Sequence, residues 1–157
     1  EKEVLVKVLY STLNYKDCLA ITNTSKIVRD YPIIPGIDLA GEIVECNSEK
    51  FSIGDKVLVN GYGMGERYWG GLSQYAGLKE SWLIKIPESF DAKSAMSIGT
   101  AGYTAMLAVM EINNAGIKTD DGKVLVTGAT GGVGSISTHI LSKLGFKVIG
   151  GTYIVNG

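Results

Sequence analysis

Val124-Leu125-Val126-Thr127-Gly128-Ala129-Thr130-Gly131-Gly132-Val133-Gly134 decides how this chain is read. Three aliphatic residues predict a short buried strand, and four glycines then turn it into an amphipathic helix. A dinucleotide pyrophosphate requires that order. The turn must be tight, the backbone must come close to the phosphates, and the helix N-terminus must present its free N–H groups. Against G-x-G-x-x-G the register is Ala129-x-Gly131-x-x-Gly134, so alanine stands at the first glycine position. Thr130, Gly131, Gly132, Val133 and Gly134 are the expected cofactor contacts. The plainer alternative is a glycine-rich turn with no ligand; a placement directly between a strand and a helix favours the nucleotide.

The flanks extend this unit. Val133, Ile136, Ile140 and Leu144 predict one buried helix face, with His139 on its flank as a solvated residue. Residues 145–150 predict the second parallel strand of a βαβ unit, and 151–157 read as strand-like. Upstream, residues 91–97 predict a helix with Asp91 as its N-cap, broken at Gly99-Thr100-Ala101-Gly102. Residues 103–112 continue it as a mostly apolar helix, expected to be buried between layers.

Further upstream the pattern changes to short strands. Residues 1–9 alternate, with Val4, Val6 and Val8 on one face. The sequence starts inside this strand, which suggests that upstream sequence is missing. Asn14-Tyr15-Lys16-Asp17 opens a short helix, and 31–36 (YPIIPG) form a rigid extended turn. Strands are predicted at 39–45, 57–59, 72–78 and 82–86, spaced as in a small, partly open β-barrel. Between them, 60–71 (NGYGMGERYWGG) hold five glycines among aromatic residues. Such a loop either lines a ligand cleft or packs on its own aromatics; the residues alone leave both open.

Composition narrows the function classes. The 157 residues carry a formal net charge of −1, which offers no basic field for nucleic acid. No uninterrupted apolar run reaches about 20 residues, the length of a membrane span, and the opening residues do not read as a signal peptide. Two cysteines without CxxC spacing point to free thiols in a reducing cytoplasm.

NYKD at 14–17, PGIDLAG at 35–41, NGYGMGERYWGG at 60–71, IGTAGYTAM at 98–106 and VTGATGGVG at 126–134 occur in this order over nearly the whole chain. Together they resemble the medium-chain dehydrogenase/reductase superfamily, in its zinc-free acryloyl-CoA reductase or quinone oxidoreductase-like branch. The resemblance implies a GroES-like β-barrel catalytic domain over 1–92 and the start of an α/β Rossmann domain over 93–150. It leaves 151–157 as a possible closing strand or tail, and suggests that Rossmann sequence is missing near 150–152. Asn14 aligns where the zinc alcohol dehydrogenases place a zinc cysteine, and Gly36-Ile37-Asp38 replaces their Gly-His-Glu. With two scattered cysteines and one distant histidine, no zinc is expected.

The chemistry so implied is NADPH-dependent reduction of an activated C=C bond, acryloyl-CoA to propanoyl-CoA, without a metal. A quinone reductase and an inactive binding fragment are the alternatives. Asn14 and Tyr15 are expected beside nicotinamide and substrate, Asn14 as a donor to the substrate oxygen or the carboxamide, and Tyr15 as a donor too or, through water, as the proton source. Asp38, at the position of a zinc ligand, is expected to act through structural hydrogen bonds, with a catalytic role as the second alternative. Thr100 and Thr104 are expected at the nicotinamide end. Arg67, Tyr68 and Trp69 are expected on the substrate side, with Arg67 and Lys79 as candidates for coenzyme A phosphates. No acidic residue follows the second strand near 148–153, which disfavours NAD. The basic residue of the family's NADPH pocket is missing there too. The resemblance further implies a cytoplasmic homodimer acting on a small molecule, with no nucleic-acid or membrane partner.

Overall fold

The computed structural model describes residues 3–152. They form two compact units, one ending at Thr100 and the other beginning at Ala101.

In the first unit, β1 (Glu3–Tyr10), β2 (Asp38–Cys46), β3 (Lys56–Asn60), β4 (Tyr75–Lys79) and β5 (Ile84–Lys85) make one antiparallel sheet in the order β4-β1-β2-β3-β5. The predicted alternation of β1 places Val4 and Val6 inward, opposite Leu78 and Ala76 of β4. They join Leu39, Ile43, Val57, Val59 and Met64 in one fully buried cluster. Each such side chain contributes about 1.5–3 kcal/mol through its burial. Two strands are shorter than the sequence predicts. The segment predicted from 72 becomes sheet only at Tyr75, because the Leu72 N–H donates instead to the carbonyl of Pro35 at 3.0 Å. The segment predicted from 82 begins as a single 3-10 turn, Glu80–Trp82, and β5 is two residues long. Trp82 is turned onto the rings of Tyr62 and Tyr68 instead of entering the strand alternation.

Helix α1 (Tyr15–Thr22) follows β1, and α2 (Ala92–Asn114) follows the sheet. The predicted cap of α2 is present: the carboxylate of Asp91 accepts the N–H of Ser94 at 2.7 Å. That bond, first among its causes, holds the Asp91 carboxyl below the usual carboxylate range. The break predicted at 99–102 is a single non-helical residue, Gly99 (φ 52°, ψ −163°). Across it the two helical stretches together are long and apolar enough to span a membrane, with mean hydropathy 1.2 over the best window. The sequence reading, which treated them as separate, found no such span. The helix is kinked at Gly99, and about a third of that window is buried, with Ala92, Ala95, Met96, Ala105 and Val109 on the covered side.

The second unit contains β6 (Lys123–Thr127), α3 (Gly132–Lys143) and β7 (Lys147–Gly151). Strands β6 and β7 pair in parallel, from Lys123 opposite Lys147 to Thr127 opposite Gly151, which completes the predicted βαβ unit. Two expectations fail here. The inward face of α3 is Gly134, Ser137 and Leu141, with Ile140 packed beside it, whereas Val133 (40% exposed) and Leu144 (50%) face outward. The close approach of Gly134 to the turn sets that rotation. The later part of α2 is not buried all round: Tyr103, Met106, Leu107 and Met110 are exposed. Only the face carrying Ala105 and Val109 is covered. Of the strand-like 151–157, Gly151 ends β7, and 153–157 lie outside the described residues.

Candidate active site

Asp38 opens β2 and is fully buried. A buried carboxylate is tolerated only when donors surround it. The backbone N–H of Thr12 donates to Oδ1 at 3.0 Å, and the Thr12 hydroxyl lies 2.7 Å from each carboxylate oxygen. Oδ2 accepts from Asn14 Nδ2 (3.1 Å) and from the N–H (3.0 Å) and hydroxyl (2.8 Å) of Thr100. Asn60, the last residue of β3, donates to the same Thr100 hydroxyl at 3.1 Å. The carboxylate thus ties the segment before α1, the start of β2 and the kink of α2 to one point.

The kink is what delivers Thr100. Gly99 adopts a backbone conformation essentially confined to glycine. A Cβ there would lie 3.2 Å from the Thr12 hydroxyl and 3.5 Å from Asp38 Oδ2.

A second buried carboxylate stands behind the first. Asp17 Oδ2 accepts the N–H of Asn14 at 2.8 Å, and its Oδ1 accepts those of Gly36 (2.9 Å) and Ile37 (3.0 Å). It therefore holds together the residue that starts α1 and the pair that precedes Asp38. Sequence reasoning quoted Asp17 within NYKD and gave it no role, and did not single out Thr12 or Asn60. An acidic residue three places after a helix-opening Asn was the available signal for Asp17.

Asn14 is brought to Asp38, a pairing the sequence did not predict, and its orientation changes what it can do. Its Nδ2 lies 3.1 Å from both Asp38 Oδ2 and the Thr12 hydroxyl, so the two amide hydrogens have partners within the protein. Tyr15, the first residue of α1, is 80% exposed. The donor set around Asp38 is hydroxyl and amide, with no thiolate or imidazole. It fits a hydrogen-bond network and not a tetrahedral zinc site. Among the described residues no group of three metal-ligating side chains occurs.

The glycine-rich loop packs on a ring from outside it, Trp82, and also walls a cleft. Met64 is buried in the sheet core, while Tyr62 stacks on Trp82 (5.4 Å between centroids) and Tyr68 meets it edge-on (5.0 Å). The same loop walls a cleft of about 670 Å³ lined by Lys16, Glu66, Arg67, Lys79 and Thr100 together with those three rings. Arg67 and Tyr68 reach the cleft; Trp69, 64% exposed, is not among its lining residues. Tyr62 and Trp82 were missed, because only the folded loop brings them together.

In the second unit, Gly131 caps α3, and the N–H groups of Gly132, Val133 and Gly134 fall in the first turn, where no intrahelical acceptor exists. A Cβ on Gly134 would lie 2.2 Å from the carbonyl oxygen of Gly128, so only glycine lets the helix start this close to the turn. A hollow of about 450 Å³ runs along this surface, lined in part by Thr127, Gly128 and Gly131 to Gly134. The hydroxyls of Thr130 and Thr152 are 2.9 Å apart beyond the end of β7, where a Rossmann strand reads the ribose. These residues fit a dinucleotide pyrophosphate. Thr104, exposed on α2, is not among the residues lining the hollow.

The alcohol dehydrogenase GroES-like domain matches residues 1–88, more than half of the chain. The chain belongs to this family. It is 50% identical over 149 residues to the probable acrylyl-CoA reductase AcuI of Escherichia coli, covering 95% of this chain and 46% of that protein. To the putative quinone oxidoreductase YhfP of Bacillus subtilis it is 47% identical over 149 residues, covering 95% and 45%. The crystal structure of the yhdH oxidoreductase of Salmonella enterica in complex with NADP superposes with a TM-score of 0.91 at 50% identity, covering 94% of this chain and 46% of that one. The chain therefore lies in the acrylyl-CoA reductase and quinone oxidoreductase-like branch of the medium-chain dehydrogenase/reductase superfamily, and it spans less than half the length of these relatives.

Proposed function

We propose that this chain contributes the substrate-side domain and the phosphate-binding turn of an NADPH-dependent, zinc-independent reductase of activated C=C bonds, with acryloyl-CoA as substrate and propanoyl-CoA as product. The observation that carries this reading is the Asp38 network with Thr12, Asn14 and Thr100, at the positions where the resemblance puts the metal ligands of the zinc alcohol dehydrogenases. The likeness to an acrylyl-CoA reductase and to an NADP complex supports it. A nicotinamide dinucleotide, when bound, supplies the hydride. Gly131 to Gly134 hold its pyrophosphate, with Thr130 beside them.

The protein's own part is to orient the substrate and to stabilise the charge that develops on its carbonyl oxygen. Because both Asn14 Nδ2 hydrogens are engaged internally, Asn14 serves as a positioned acceptor and spacer, not as the donor to that oxygen. Tyr15, exposed at the start of α1, is the candidate donor and proton source. Asp38 acts as a positioning residue for Thr100 and Asn14. The protein works as a soluble cytoplasmic enzyme on a small molecule, as a homodimer.

Following NADPH oxidation with acryloyl-CoA and then with a quinone tests the reading. Turnover with acryloyl-CoA is expected, and Tyr15→Phe should lower kcat by about a hundredfold or more. Full activity of that variant removes Tyr15 from the mechanism. Turnover with the quinone alone supports the second reading, which the YhfP likeness favours. No turnover with either substrate, in a chain that still binds NADP, marks it as a binding fragment.

A further inference from the structure

Helix α1 is short and thinly packed for the element that carries Tyr15. Of its eight residues only Asp17 and Ala20 are buried, and Leu19 is half-buried. A helix of this length is marginal in water by itself, so contacts outside it must hold it. Asp17 supplies one hold, accepting the N–H groups of Gly36 and Ile37. A second is the ion pair of Lys16 Nζ with Glu66 Oε1. Lys16 directly follows Tyr15, and Asn14, bonded to Asp38, directly precedes it.

Glu66 stands on a firmer base than its partner. The carbonyl of Gly63 accepts the N–H groups of Glu66 (3.2 Å), Arg67 (2.9 Å) and Tyr68 (3.1 Å), which closes the tip of the glycine-rich loop into a tight turn. Both ends of the loop are bonded to the segment before β2: the Gly61 N–H donates to the carbonyl of Ile37 (2.8 Å), and that of Gly70 to the carbonyl of Ile34 (2.7 Å). A Cβ on Gly65 would lie 2.9 Å from the nitrogen of Gly36, so the turn rests against the same backbone that Asp17 grips. The Glu66 side chain is 19% exposed and that of Lys16 48%. The carboxylate is thus the fixed partner, and the lysine the arm that reaches it.

We propose that Glu66 is a positioning residue: through Lys16 it fixes the first turn of α1, and with it the place of Tyr15. The proposal rests on the reading of Tyr15 as donor and proton source, and deepens it. An ion pair with one half-exposed partner shifts such an equilibrium by about twofold to fivefold, so it steadies the turn without locking it.

Deuterium exchange of the whole chain tests the tether. In Glu66→Gln and in Lys16→Met the amides of α1 are expected to exchange about twofold to fivefold faster. The Cys18 amide, which donates to the Asn14 carbonyl at 3.3 Å, should show it first. The double variant should be no faster than either single one, because each breaks the same pair. Lys16→Arg should keep the native rate, and the effect of Glu66→Gln should shrink with added salt. Trp82 emission, read in a Trp69→Phe background that leaves Trp82 as the remaining tryptophan, should stay unaltered, because the loop keeps its own bonds. Unchanged exchange in both single variants, a double variant as fast as the product of the two, or a shifted Trp82 emission overturns the proposal. Turnover separates it from the reading it rests on. Glu66→Gln should lower kcat about twofold to fivefold when Tyr15 is present and cause no further loss in Tyr15→Phe. An equal further loss in Tyr15→Phe overturns the positioning role alone. Full activity of Tyr15→Phe removes the donor reading alone, and the exchange rates still decide whether Glu66 holds α1.

Discussion

Asp38 and Asp17 concentrate the site's polar order in two side chains. Each accepts at least three hydrogen bonds from groups on different segments. Removing the acceptor strands those donors, at about 1–3 kcal/mol for each one left buried and unpaired. Asp38→Ala is therefore expected to lower unfolding stability in urea by about 3 kcal/mol, with Asp38→Asn intermediate; a loss under about 1 kcal/mol would contradict the network. Asp17→Ala should cost a similar amount, because the N–H groups of Gly36 and Ile37 have no other bond among the described residues. The residue scale was partly legible. Asn14 and Asp38 stand out through motif and position, whereas Asp17 looks like one more helix-start acid until the turn at 36–37 folds back over it.

Single glycines decide how two elements are used. Gly99 turns α2 so that Thr100 points both its N–H and its hydroxyl at Asp38. Gly99→Ala should cost about 1–3 kcal/mol for the forbidden backbone conformation, measured by thermal unfolding. An unchanged midpoint would show that the kink can relax. Gly134→Ala pushes a methyl group into the Gly128 carbonyl. Calorimetric affinity for NADP is expected to fall at least tenfold while the emission of Trp82, in the first unit, stays unaltered. Helix caps and breaks were readable here because they depend on local chemistry, as Asp91 and Gly99 show. The α3 stripe was misread because Gly134 has no side chain to mark the face that packs closest.

The two units differ in what supports them. The first rests on a five-stranded sheet with two buried clusters, the second on a parallel pair with Leu125 (63%) and Ile149 (47%) exposed. Two strands alone are marginal in water. Amides of β6 and β7 are therefore expected to exchange with deuterium well before those of β1, β2 and β3. Equal protection in the two sets would show that the second unit is as stable as the first.

By itself the sequence determined the alternating strands, the capped helices, the glycine turn between β6 and α3, and the family. All of these follow from contacts between near neighbours along the chain, or from short motifs. Only the tertiary structure decided the rest. It brought Thr12, Asn14, Asp38 and Thr100 to one buried carboxylate, placed Asp17 across two segments, and set Tyr62 and Trp82 in a basic cleft. Those arrangements join residues tens of positions apart, and a buried charge finds its donors only when the sheet and the kinked helix close around it. The glycine turn itself was plain in the sequence. How tightly α3 starts upon it depended on the missing Cβ of Gly134, which only packing reveals.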